Sequence, residues 1–163
     1  MISDFIELKG VIFEDFVNYK KPCMTLMFPI CKGFKCGADL CQNSSLAATP
    51  LQTVHVNGLL RLYKENPITE AIVLQGLEPL DSLVDVYTVA ANLKDFNIQD
   101  DFIIYTGYNR SEISVQTINN LASMIPGHFI IKWGRFIPHQ ESHFDPILGV
   151  KLASDNQYAE IIK

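Results

Sequence analysis

The chain has 163 residues, 48% of them hydrophobic, with a formal net charge of −5 and a pI near 5.3. That is one domain's worth of chain with enough apolar residues for a continuous core. The acidic balance argues against a nucleic-acid binder that works by neutralising phosphates. No apolar run is long enough to cross a bilayer, and the first residues lack a basic start followed by a long apolar stretch, so the expectation is a soluble, cytoplasmic, single-domain protein over residues 1–163.

In chain order, Phe16–Tyr19 and Met24–Phe28 read as extended segments separated by Pro22 and closed by Pro29. A loop carrying Cys31, Cys36 and Cys41 follows at once. Val56, Leu59, Leu60 and Tyr63 recur at helical spacing and predict an amphipathic helix over 53–65, stopped by Asn66-Pro67. Ala71–Leu74 fits a buried parallel strand, followed by the turn Gly76-Leu-Glu-Pro79. Leu80, Leu83, Val84, Tyr87 and Ala91 predict a second helix over about 80–95. Asp101–Tyr105 is the next strand and Thr106-Gly-Tyr108 its turn. A third helix, with Ser111 as its expected cap, shows Ile118, Leu121, Ala122 and Ile125 as its apolar stripe and ends at Pro126-Gly127. His128–Trp133 is a further strand, followed by Gly134-Arg-Phe136, and a last short element spans Gly149–Ala153.

The alternation of strand, turn and helix implies an α/β fold with a mostly parallel sheet. The chain is short for eight such units, so an open, partial (β/α) barrel is expected. Ligands gather at the carboxyl ends of parallel strands, which is where the cysteine loop and the three short turns fall.

Four cysteines lie between Cys23 and Cys41. Two disulfides are one reading, but nothing marks secretion, and metal ligation suits the spacing better. Cys23 lies inside the apolar segment before Phe28 and reads as a small core hydrophobe. Three thiolates on one loop leave a metal centre one protein ligand short, which suggests an iron–sulfur cluster with an open iron. A zinc knuckle with Cys23 as fourth ligand is the alternative. His139 and His143 stand at helical metal-pair spacing, but Pro138 argues against a helix there. His55 and His128 read as structural.

Several pieces together give a resemblance. The segment Asp15–Tyr19 with Met24–Cys31, the run Cys41-Gln-Asn43, the turn Gly76-Leu-Glu-Pro79, the turn Tyr105–Tyr108 and the ending Ser154-Asp-Asn-Gln157 resemble the radical S-adenosylmethionine superfamily. Within it the chain is most similar to the activating proteins of anaerobic ribonucleoside-triphosphate reductase. There are two departures: the cysteines are spaced four and four, wider than the family's pattern, and Leu77 replaces the second glycine of Gly-Gly-Glu-Pro. If the backbone at Leu77 needed positive φ it would be strained; Gln75-Gly76 could serve the turn instead.

The resemblance implies a radical S-adenosylmethionine-type partial barrel. It implies a 4Fe-4S cluster on Cys31, Cys36 and Cys41, with Phe28, Ile30 and Phe34 keeping water away. S-adenosyl-L-methionine would be held by Gly76, Glu78, Thr106, Gly107, Lys132 and Asn156: Glu78 toward its amino group, Lys132 toward its carboxylate, Asn156 toward adenine or ribose. The implied activity generates a glycyl radical on anaerobic ribonucleoside-triphosphate reductase as partner, with a flavodoxin-like or other one-electron donor. An apolar patch around Trp133 and Phe136 is an expected part of the partner contact. A radical enzyme acting on a small molecule or peptide is the alternative within catalysis, and a zinc-stabilised binding module the alternative outside it.

Overall fold

The computed structural model describes residues 3–32, 41 and 43–163. Cys36, and with it Gly33, Phe34 and Gly37, lies outside the described residues.

The strands are β1 (Phe5–Leu8), β2 (Gly10–Asp15), β3 (Cys23–Phe28), β4 (Gln52–His55), β5 (Ala71–Gly76), β6 (Asp101–Tyr105), β7 (Phe129–Trp133), β8 (His143–Asp145), β9 (Val150–Leu152) and β10 (Tyr158–Ile161). The helices are α1 (Ser44–Ala47), α2 (Val56–Glu65), α3 (Leu83–Asn92) and α4 (Val115–Met124). Short 3-10 turns occupy Pro79–Ser82 and Arg110–Glu112.

The fold is mixed α/β. Six strands form one mostly parallel sheet in the order β10-β7-β6-β5-β3-β2. The four central strands β3, β5, β6 and β7 are parallel, and β2 and β10 close the two sides antiparallel. The register runs Cys23↔Ala71↔Asp101 at one end and Phe28↔Gly76 at the other, so the carboxyl ends of the parallel strands make one rim. The parallel strands advance across the sheet in chain order without a reversal. Right-handed crossovers then place every connecting helix on the same face. Packing agrees: Leu59, Leu60, Val86, Val89, Ile118 and Leu121 share one core with Leu26, Leu74, Ile104 and Ile131. On the opposite face Cys23, Val73, Ile103 and Ile130 pack under Tyr19, Leu148 and Leu152, with no residue of a helix. Each parallel strand is thus buried on both sides, which is why these strands read as continuous apolar runs. The sheet remains open at β2 and β10.

The predicted strands at 24–28, 71–74, 101–105 and 128–133 stand within one residue or two of β3, β5, β6 and β7. Other expectations need correction. Phe16–Tyr19 is a bend, because the Asp15 carboxylate accepts from the amides of Val17 and Asn18 and turns the chain. The helix expected over 53–65 begins only at Val56: Gln52–His55 pairs with β1, and the His55 ring caps the helix by accepting from the Gly58 amide. Its stripe Val56, Leu59, Leu60 and Tyr63 is buried as expected. In the second helix the first turn is 3-10 and the inward face is Val86, Val89, Ala90 and Leu93; Val84 is exposed. Ser114, not Ser111, caps α4, its hydroxyl accepting from the Thr117 amide. Trp133 is fully buried, its indole N–H donating to Glu160 at 2.8 Å, so it forms no surface patch.

Candidate functional site

The chain turns sharply after each parallel strand, and those turns enclose a cleft of about 340 Å³. Cys31 and Cys41 line it from the β3 side, Gly76 from β5, Thr106 and Gly107 from β6, and Lys132 from β7. Six of the residues singled out in the sequence therefore meet at one place. A larger hollow of about 460 Å³ lies between β2, β4 and α2. It is lined mainly by apolar chains, and its one histidine, His55, is committed to capping α2. Among the described residues, the chemistry-bearing groups singled out in the sequence converge in the first.

Gly76 makes the β5 wall possible. Its φ is +111°, and a β-carbon there would stand 2.5 Å from the Phe28 amide nitrogen. Leu77 is not among the residues with positive φ; it continues the turn by donating its amide to the Phe28 carbonyl at 3.1 Å. The unusual leucine is therefore unstrained, and Gln75-Gly76 serves the turn.

Glu78 does not line the cleft. It is fully buried behind it, where its carboxylate accepts from Thr106 Oγ1 and the Gly107 amide, both at 2.8 Å, and from the Leu80 amide at 3.1 Å. It ties the turn after β5 to the turn after β6. Burial pushes its pKa up to about 7, against the lowering effect of those three donors.

Lys132 stands near the carboxyl end of β7, on the sheet face opposite the helices. It is 8% exposed, lines the cleft, and donates to the Gly134 carbonyl at 2.8 Å. Its ammonium lies 5.9 Å from the Tyr105 ring centroid. Burial pulls its pKa down to about 8, with the nearby Glu78 charge acting the other way.

Asn156 stands just outside the cleft lining. Its side chain donates to the Arg135 carbonyl at 2.8 Å and accepts from Ser154 Oγ at 2.7 Å, which holds the turn after β7. The neighbouring Gln157 does line the cleft, donating to Gly134 O and accepting from the amides of Ala153 and Ser154. Sequence reasoning passed over Gln157, Asn43, Arg135 and Tyr105 as site residues. All four belong to motifs that the sequence marks, at Cys41-Gln-Asn43, Tyr105–Tyr108, Gly134-Arg-Phe136 and Ser154-Asp-Asn-Gln157, but motif membership does not say which side chain faces the cleft.

Among the described residues, no group of three His, Cys, Asp and Glu side chains is close enough to hold a metal ion. With Cys36 outside those residues, the expected third thiol is not placed. Cys31 is exposed and Cys41 half-buried, and both line the cleft. Cys23 is different. It opens β3 at the amino end, and five strand steps of about 3.3 Å put it roughly 16 Å from Phe28. It is fully buried, and burial raises its thiol to about 11. A zinc site with Cys23 as fourth ligand does not fit this placement. His139 sits in a turn at φ +65°, and His143 begins β8 with Nε2 2.7 Å from the Gln157 carbonyl, so the two are not a helical pair.

The cleft has a cationic lining in an acidic protein. Lys132, Arg135 and Lys151 border it, and none of its described lining residues is Asp or Glu. Arg135 also pairs with Glu112 at 2.5 Å. An arrangement of glycine turns and cationic side chains suits a ligand that carries a carboxylate.

No protein-family model, curated protein or solved structure matches this chain.

Proposed function

We propose that the chain is a radical S-adenosylmethionine activating enzyme that generates a glycyl radical on anaerobic ribonucleoside-triphosphate reductase. The observation that carries the reading is the convergence of Cys31 and Cys41 with the Gly76 turn, the Thr106-Gly107 turn and Lys132 in one cleft on the carboxyl rim. Sheet topology supports it too. Parallel strands that advance without reversal, with all long helices on one face, are what an open partial (β/α) barrel requires.

Cys31, Cys36 and Cys41 would hold a 4Fe-4S cluster, and the cationic wall would receive S-adenosylmethionine. Once bound, these groups would supply reductive cleavage of the sulfonium, with the electron coming from a flavodoxin-like or other one-electron donor, and so the means to take a hydrogen atom from a glycine Cα of the partner. The chain's own residues orient and shield. Lys132 carries three N–H groups and gives one to Gly134, leaving the others for the ligand's carboxylate. Glu78, held behind the wall, fixes Thr106 and Gly107 in place beside the ligand. Gly76 and Gly107 let the ligand approach the backbone closely.

The test is anaerobic reconstitution with iron and sulfide, addition of S-adenosylmethionine and a reductant, and assay of 5′-deoxyadenosine. The wild-type chain should produce it, and a variant with Cys31, Cys36 and Cys41 all replaced by alanine should not. With the reductase added, a glycyl radical signal in electron paramagnetic resonance is expected. Turnover without that signal would reassign the substrate to a small molecule or peptide; absence of iron uptake would end the proposal.

A further inference from the structure

Hydrogen bonds into a single short segment, Gly76–Asp81, flank Cys31 on both sides and follow Cys41 by two residues. Before Cys31, the Phe28 carbonyl accepts from the Leu77 amide at 3.1 Å. Just after Cys31, the Lys32 amide donates to Asp81 Oδ2 at 2.5 Å. Two residues after Cys41, Asn43 Nδ2 donates to the Gly76 carbonyl at 2.7 Å. The segment that makes these bonds is itself well anchored. Gly76 closes β5, Asp81 donates its amide to the Glu78 carbonyl, and the Glu78 carboxylate reaches across to Thr106 and Gly107. The second oxygen of Asp81 accepts from the Tyr108 hydroxyl at 2.6 Å, and that bond holds the phenol well above its ordinary pKa.

We infer that Asp81 and Asn43 are positioning residues that fasten Cys31 and Cys41 to the turn after β5, so that the two sulfurs are held for metal capture before any metal arrives. The inference rests on reading Cys31 and Cys41 as metal ligands. Its physical basis is preorganisation. A pair of thiolates on tethered backbone loses less conformational freedom on ligation than a pair on an untethered one. Asp81 suits the task because a carboxylate accepts from two donors at once, one on each oxygen, and here those donors come from the cysteine side and the β6 side of the rim. Asn43 suits it because its amide must donate to a carbonyl that Gly76 presents at φ +111°.

The experiment is an anaerobic Co²⁺ titration of metal-free protein, read by thiolate-to-cobalt absorption, with amide hydrogen exchange at Lys32. Asp81→Ala and Asn43→Ala should each weaken Co²⁺ about tenfold, the equilibrium effect of one strong hydrogen bond. Asp81→Ala should also speed exchange at Lys32 by about the same factor. Asp81→Asn should recover most of the Co²⁺ affinity, because its side-chain oxygen still accepts from Lys32 while its amide faces the Tyr108 oxygen. A role in general stability alone would lower the melting temperature of both Asp81 variants without this selective rescue. Wild-type Co²⁺ affinity in both alanine variants overturns the inference, as does unchanged exchange at Lys32 in Asp81→Ala. Wild-type protein that binds no Co²⁺ overturns it together with the function proposed above. Wild-type protein that binds Co²⁺ tightly, loses it in both alanine variants, and yet never cleaves S-adenosylmethionine when iron-loaded leaves the positioning role standing and removes only the proposed activity.

Discussion

Two buried ionisable side chains give the cleft a measurable signature. Glu78 titrates near pH 7 in the folded chain against 4.5 when exposed, because burial favours its neutral form. Its stabilising contribution is therefore complete below pH 4.5 and lost as pH rises through 7, by roughly 3 kcal/mol at about 1.4 kcal/mol per tenfold change in proton affinity. Lys132 titrates near 8 against 10.5. The folded state binds fewer protons than the unfolded state between those values, so this group makes stability rise as pH climbs from 8 to 10.5. Denaturant midpoints measured against pH should pass through a trough between pH 7 and 8. Glu78→Gln should flatten the acidic limb and Lys132→Met the alkaline limb, whatever each does to the absolute midpoint. At Gly76 the expectation is simpler. Alanine there meets both an unfavourable φ and a backbone contact at 2.5 Å, and should cost about 3 kcal/mol in a urea titration.

At the level of elements, legibility in the sequence followed burial. The strands β3, β5, β6 and β7 are hydrophobic on both sides, so their apolar runs could be recognised without knowing the fold. The edge strand β2 alternates poorly and exposes Ile12 and Phe13, while β10 and the short pair β8 and β9 give too few residues for a period to show. For helices the stripe was readable but the start was not. Val54 belongs to β4 by its pairing with Ile6, a long-range contact that local spacing cannot report. Capping supplies the check. Ser114→Ala removes the bond to the Thr117 amide and should lower stability by about 1 kcal/mol, whereas Ser111→Ala, exposed in the 3-10 turn, should leave the unfolding midpoint nearly unchanged.

Across the whole molecule, the rim was foreseeable because parallel strands send every turn to the same side, and the short motifs Gly76–Pro79, Thr106–Tyr108 and Gly134–Phe136 stood at those turns. Which side chains face inward was not foreseeable. Glu78 turned away from the cleft because three N–H and O–H donors behind it outbid solvent, and Gln157 entered it because Asn156 is held by Ser154 and Arg135. The same geometry separates the four cysteines. Cys23 opens β3 at the floor of the sheet, and Cys31 and Cys41 stand on the rim at its other end. Cys23→Ala should therefore leave iron and sulfide content after anaerobic reconstitution unchanged, with a stability loss of about 1 kcal/mol for the small volume removed. Cys31→Ala or Cys41→Ala should reduce that content severely while leaving the unfolding midpoint of the metal-free protein nearly intact, since neither side chain belongs to a core. Iron loss in the Cys23 variant equal to that in the other two would place the metal among different thiols, and the rim would cease to be the site.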